Sequence, residues 1–523
     1  MTSVHEDALP AEAALEQAGL PESPETGFGL KQAGKQALIY AAGLWAMRAA
    51  GFLLVPLYTR RLDPAQFGVY ELLSRTFDVL CLVLPAGMVV ALMRFYNLAG
   101  GRAREQVAST AILCPAGMGA LGAVALWAMR EPIASRLLHD RSYGSLVVLL
   151  GLWVWGELLF SISCGLLRAR GQAALYTAAN VGRSVLTVGL GLWLVWWRDL
   201  GLTGVMLANV TGSGCGALAA AGYAFVSTGL HFSPRYLRSF LAFGLPLMAT
   251  AILSASAGTV DRYLLNGYAG AGEVAILGLA ARVTMILGVA TVAPIGLTYT
   301  PFIFATVRRR DAHVIFARAR TYMGVLVAGS GLALALFAPE IVAVLAPASY
   351  HSAVKVARIA LVASCLYGMS PQLEIGIYLH GATSWKLPAF ATLAGTSLAL
   401  NLALIPRYGA VGAALAQVGS QASYLGILYL ISERLYPVPY RWSRLGKIAL
   451  AAALPWAAGS GLLPGLPFAS PAFRALLLAA FPVGLWVLRV ADAEEQARLR
   501  LSARRLLRLA PAMATAPSSS QGK

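Results

Sequence analysis

Four arginines, Arg48, Arg75, Arg183 and Arg282, lie within long stretches of mostly apolar residues. A guanidinium there costs several kcal/mol unless it faces a partner or a wet cavity, so such residues mark a site. The planar guanidinium suits bidentate contact with carboxylate or phosphate, and four of them together would attract an anion. Arg48 follows Lys35 by 13 residues, about 20 Å along a helix, too deep for easy snorkelling. Arg183 is isolated in "NVGRSVLTVGL", and Arg282 is the only charged residue between Glu273 and Arg308. The expectation is a predominantly cationic cavity.

Carboxylates in the same stretches suit ion coupling or gating. Glu71, Arg75 and Asp78 fall on one helix face by their spacing, as a self-neutralising cluster or as part of a site. Glu157 and Glu374 have no partner nearby in sequence; each would pair with an arginine in space or titrate. In "SAGTVDRYLLNGYAG" Asp261 and Arg262 are adjacent, hence about 100° apart on a helix, and are not expected to cancel. Arg262 reads as an interfacial anchor or a gate residue, and Asp261 as a gating or coupling candidate.

The elements that position these residues are membrane helices. The 523 residues are 58% hydrophobic and 12% charged, with a mean hydropathy of +0.67. A soluble protein of this size could not shield so much apolar surface. Runs of about 20 apolar residues succeed one another from residue 36 to 490, each long enough to cross about 30 Å of hydrocarbon. They divide into about fourteen spans, from 36–58 and 67–92 to 445–464 and 472–490. Residues 1–30 carry six acidic residues and no Lys or Arg, as a disordered acidic tail would.

A net charge of +18 would suggest nucleic acid in a soluble chain. Here the basic residues lie in alternate connections, about 25 on one side against about 9 on the other. That bias is expected to place both termini in the cytoplasm and removes the need for a nucleic-acid partner. In the basic tail 491–523 the stretch "ADAEEQARLRLSARRLLRLA" sets leucines among arginines, as a basic helix lying on anionic lipids would, with a solvated tail as the alternative. The five cysteines show neither metal nor disulfide spacing, and the six histidines are scattered at connections and span ends. A membrane glycosyltransferase or polysaccharide polymerase would need placed acidic or histidine groups on a sizeable loop, which is not evident here.

The chain also repeats. "GLTGVMLANV" from Gly201 aligns with "GAVGAALAQV" from Gly409, and "AQFGVYELLSR" with "GEVAILGLAAR", both at offsets close to 207 residues. Six helices per repeat give two halves of the same orientation, related by an axis along the membrane normal. The expected organisation is a six-helix lobe over 31–235, a second over 236–436, two further helices over 437–490 and the terminal tails.

With the opening "GLKQAGKQALIYAAGLWAMRAAGFLLVPLYTRRLDPAQFGVYELL" and the block "DRYLLNGYAGAGEVAILGLAAR", the chain resembles the multidrug/oligosaccharidyl-lipid/polysaccharide exporter superfamily, specifically its polysaccharide-biosynthesis flippases of the Wzx type. The resemblance implies an alternating-access transporter, not an enzyme, moving a polyprenyl-pyrophosphate-linked oligosaccharide, with H+ or Na+ coupling and no bound cofactor. Glycosyltransferases and a polysaccharide polymerase of the same pathway would be its partners. A cation-coupled drug exporter and a peptidoglycan-precursor flippase of the same superfamily are the alternatives.

Overall fold

A computed structural model describes residues 51–490 except 53, 230, 257, 308, 381–382, 439–441 and 460–469. Arg48, the acidic segment 1–30 and the basic segment 491–523 lie outside the described residues. The described residues form helices and no strand, and ten of the helices are long and apolar enough to cross a membrane. In lipid every backbone polar group must be satisfied within the protein, and helices achieve this segment by segment. The protein is a multi-pass membrane protein.

In chain order the spans are α1, 54–61; α2, Pro64–Val83, continued by α3, Met88–Leu98; α4, Gly101–Ala128; α5, Gly144–Ala169; α6, Ala173–Leu192; and α7, Gly201–Thr228. The second half runs α8, Pro234–Ser256, continued by α9, Val260–Ala269; α10, Ala271–Leu287, continued by α11, Ala293–Thr306; α12, Ala312–Leu336; and α13, Ala353–Gly368. It closes with α14, Lys386–Leu435, followed by α15, Trp442–Gly459, and α16, Pro471–Val487. The α14 helix is 50 residues long and bends at Gly409, whose φ of 55° only glycine adopts freely, so it makes two spans. Counting it twice gives eleven spans among the described residues, to which the shorter helices α15 and α16 are added.

The repeat extends into the connections. The short helices Arg130–Leu137 and Ala338–Leu345 correspond, as do the single turns Arg141–Tyr143 and Ala348–Tyr350, again about 207 residues apart. The repeat-related helices α2 and α10 pack against each other where the halves meet. A Cβ built at Gly68 on α2 would lie 1.7 Å from the Ala271 carbonyl oxygen, so this crossing requires glycine. A second close approach joins α8 to the break between α2 and α3: a Cβ at Gly244 would lie 2.0 Å from the Ala86 carbonyl oxygen.

The basic connections, with Arg102, Arg168, Arg235, Arg309 and Arg434, fall on one face of the bundle, called here the basic face. At the opposite face α2 begins cleanly: Pro64 sits in its first turn and the Asp63 carboxylate accepts from the Gln66 N–H at 2.7 Å.

Candidate functional site

A cavity of about 280 Å³ lies within the first half, walled by α1, α2, α5, α6 and α7, and Arg282 of α10 closes it from the second half. Its rings are Tyr58, Phe67, Tyr70, Phe77 and Trp153, and its polar side chains include Asp78, Glu157, Arg183, Asn209 and Ser213. Phe77 and Trp153 stack at 3.8 Å between centroids and 16° between planes. Flat apolar rings beside hydroxyl, amide and carboxylate groups make a surface able to stack on a ring and hydrogen-bond its edge.

Every described arginine of the expected set is paired. The Arg282 guanidinium donates to Glu71 at 2.5 Å across the junction of the halves, and Glu71 is only 1% exposed. Gly278 makes room for it: a Cβ there would lie 2.7 Å from Glu71 Cγ. Gly278 is the repeat equivalent of Glu71 itself, so the carboxylate of one helix fills space left by its twin. Arg75 pairs with Asp78 on its own helix at 3.1 Å. Arg183 pairs with Glu157, which also accepts from the Ser213 hydroxyl at 3.0 Å, and the Arg183 guanidinium lies 4.5 Å over the Phe160 ring.

Among the described residues the expected cationic set is not in excess: Arg75, Arg183 and Arg282 are matched one for one by Asp78, Glu157 and Glu71, as Arg262 is by Asp261. The physical reason is that an unpaired charge in this environment costs more than sequence-local isolation suggests, and helix packing brings partners from far along the chain. Arg282 is not alone, because Glu71 reaches it from 211 positions away. Two of the arginines remain accessible from the cavity, with side chains 22% (Arg183) and 25% (Arg282) exposed.

Asp261 and Arg262 differ from the expectation in a second way. Their side chains meet at 2.8 Å, and both are buried, Arg262 to 3% exposure, so Arg262 is not an interfacial anchor. The span breaks between α8 and α9, and the pair stands at the start of α9. Asp261 sits in the first turn of α9, where a negative charge favours the helix amino end, and Arg262 donates to the freed Gly258 carbonyl at 2.8 Å. Asp261 also accepts from the Gln417 amide at 2.7 Å. Glu374 pairs with Lys386 at 2.9 Å, at the basic face and apart from the cavity.

Reading the sequence missed the ring stack and the polar roles of Asn209 and Gln417. The repeat alignment held a signal: Asn209 and Gln417 occupy its same position, one lining the cavity and the other holding Asp261.

At the opposite face the two halves are fastened together. The Thr59 hydroxyl donates to the Leu345 carbonyl at 2.5 Å, Tyr350 to the Leu62 carbonyl at 3.2 Å, and the Asn266 amide to the Leu137 carbonyl at 2.6 Å. Asn266 also lies 3.3 Å from His139 Nδ1. Next to it, the Asp140 carboxyl is held below the usual carboxylate range by the backbone N–H of Ser142, which caps the following turn.

This architecture has relatives. The family model described as polysaccharide biosynthesis protein matches residues 33–307. The chain belongs to that family. A search of curated proteins finds no match. Among solved structures, a lipid II flippase MurJ in an inward closed conformation is 13% identical and superposes with a TM-score of 0.71, covering 86% of this chain and 99% of that one. A multidrug resistance MATE family transporter of the MOP superfamily in an inward-facing conformation is 17% identical, with a TM-score of 0.59 over 78% of this chain and 95% of its own. An outward-facing structure described in the same words is 16% identical and gives 0.53 over 77% and 95%. This polysaccharide biosynthesis protein therefore has the fold of the MOP-superfamily transporters.

Proposed function

We propose that the protein is an alternating-access transporter that flips a polyprenyl-pyrophosphate-linked oligosaccharide across the bacterial inner membrane. Its lobes would span 31–235 and 236–436, and its basic face would be cytoplasmic by the positive-inside bias. The observation that supports the reading is the cavity itself. Within a chain of the polysaccharide biosynthesis family it sets Arg183 and Arg282 beside a Phe77–Trp153 stack.

In this reading the pyrophosphate competes with Glu157 and Glu71 for the two guanidinium groups, with Arg48 as a further cation. The sugars pack on the rings, and the lipid tail stays in the bilayer. Release of Arg282 would loosen the tie between α2 and α10. It would also expose Glu71 to protonation, linking substrate binding to lobe movement and to an H+ gradient. Asp261, held by Arg262 and Gln417 beside the break in its span, is the second coupling or gating group, for H+ or Na+. Asp78 and Glu374 would serve the same role less directly, through Arg75 and Lys386.

The matched carboxylates also favour a second reading, a cation-coupled exporter in which Asp78 and Glu157 attract an organic cation. Transport by purified protein in proteoliposomes separates the two. A labelled lipid-linked oligosaccharide should cross, with Arg183→Ala and Arg282→Ala impaired. Full-rate movement of dye cations with no movement of that lipid would overturn the proposal. A lipid II-type substrate would show itself as preference for the peptidoglycan precursor.

A further inference from the structure

A second cavity, about 760 Å³, lies behind the second half between α12, α13, the last part of α14 and α15, and shares no lining residue with the first. Helix α15 packs against α12 and α16, and the cavity separates it from α13 and α14. The lining is almost wholly apolar and runs along α12 from Arg320 to Ala335, about 22 Å at the helical rise, the scale of one extended acyl chain. At the far end Arg358 also lines it and donates to the Ala335 and Gly459 carbonyls.

The cavity also has a polar end. After α13 the chain leaves the α-helix for a single tight turn, Ser370–Leu373, and such breaks within a membrane occur where protein or a cavity takes up the freed backbone groups. Gln372 in that turn lines the cavity and is fully buried, and both its amide nitrogen and its amide oxygen are without a hydrogen-bond partner. A buried amide so placed calls for a ligand that both donates and accepts. Arg320 is fixed beside it by a 2.7 Å bond to the Gln372 carbonyl and brings positive charge to the same end. Tyr429 and Trp442, in edge contact at 5.0 Å, line that end too, an aromatic pair of the kind found at headgroup depth.

We propose that this cavity is a binding site for a bilayer phospholipid of the leaflet at the basic face, with an anionic headgroup bearing hydroxyls. Its acyl chain fills the apolar length, its hydroxyls meet the Gln372 amide, and its phosphate meets Arg320. Phosphatidylglycerol has this chemistry; phosphatidylcholine has the chains and phosphate but no headgroup donor. The proposal does not depend on which substrate the first cavity carries.

The test uses delipidated full-length protein and native mass spectrometry, with phosphatidylglycerol, phosphatidylcholine of the same chains, and polyprenyl phosphate as probes. Retention of phosphatidylglycerol should exceed that of phosphatidylcholine about fivefold or more, in line with a gained hydrogen bond and charge contact. Gln372→Leu should erase that preference. Ala449→Phe, which adds bulk from α15 into the cavity, should lower retention of both and serves as the second variant if Gln372→Leu does not fold. Arg183→Ala should retain phosphatidylglycerol at the wild-type level, whatever its transport. Equal retention of the two phospholipids, an unaltered preference in Gln372→Leu, or displacement of phosphatidylglycerol by stoichiometric polyprenyl phosphate would overturn the proposal.

Discussion

Glu71 and Arg282 meet at 2.5 Å across the junction of two halves that repeat each other, in a space that Gly278 leaves open. The pair is inter-helical and nearly closed to solvent on the carboxylate side, with Arg282 on the wall of the cavity. It therefore bears on both stability and transport. Removing one member leaves the other charged and buried, whereas removing both leaves only lost packing.

Glu71→Ala should thus cost about 3 kcal/mol, and the double variant Glu71→Ala/Arg282→Ala distinctly less than the sum of the single changes. Thermal unfolding of the purified proteins in detergent, arranged as a double-mutant cycle, checks this. Additive losses would mean that the two groups do not act together.

Gly278→Val should reproduce the effect of losing Glu71 without touching a charge. Its Cβ would stand 2.7 Å from Glu71 Cγ, so the carboxylate must leave Arg282. The expected result is a destabilisation comparable to Glu71→Ala. Adding Glu71→Ala should then bring little further loss, because the clash and the pair are removed together.

Much of the fold was legible in the sequence because its determinants are local. Apolar runs of sufficient length must be helices in a bilayer, and the shared offset of two short matches carried the parallel repeat. The site was legible only in part. Arg75, Arg183, Arg282 and Glu157 were visible as costly charges, and three of them do line the cavity. What sequence could not supply was the partner of each. The Glu71–Arg282 contact joins positions 211 apart, and helix rotation decides it, not spacing. Asp261 and Arg262 show the same limit: both stand on α9, about 100° apart, and the reach of the Arg262 side chain joins them all the same.

Trp153 supplies a different kind of prediction, since it carries no charge. Its ring stacks on Phe77 and forms the cavity wall next to Glu157. Trp153→Phe should keep most transport of a labelled lipid-linked oligosaccharide, and Trp153→Ala should lower it about tenfold, on the scale of a lost aromatic contact. Equal rates in both variants would remove the stack from substrate recognition.

Asp140 caps the turn Arg141–Tyr143 at the opposite face, and that local cap depends on pH. Its carboxyl is depressed by the hydrogen bond from the Ser142 N–H, so the cap is intact above the ordinary carboxylate value of about 3.9 and is lost as pH falls through the depressed one. Closure of that face should accordingly be constant from neutral pH down to about pH 4, and Asp140→Asn should leave it unaltered there. Solvent labelling of a cysteine placed at His139 reads this directly. A change in labelling between pH 5 and 7 that persists in Asp140→Asn would assign the dependence to another group.

The fastening of that face is itself testable. Among the described residues four hydrogen bonds reach across it, and those from Thr59 to the Leu345 carbonyl and from Tyr350 to the Leu62 carbonyl join buried groups. Thr59→Val keeps the shape of the side chain and removes the donor, leaving the Leu345 carbonyl unpaired only in the closed arrangement. The balance should therefore move toward the open arrangement, by about tenfold for a penalty near 1.4 kcal/mol. Labelling of a cysteine at Asn209, deep in the cavity, by a reagent added from the opposite face should rise accordingly. Unaltered labelling in Thr59→Val, with Asn266→Ala equally silent, would mean that the α2–α10 crossing at Gly68 and Ala271 holds the face shut without these bonds.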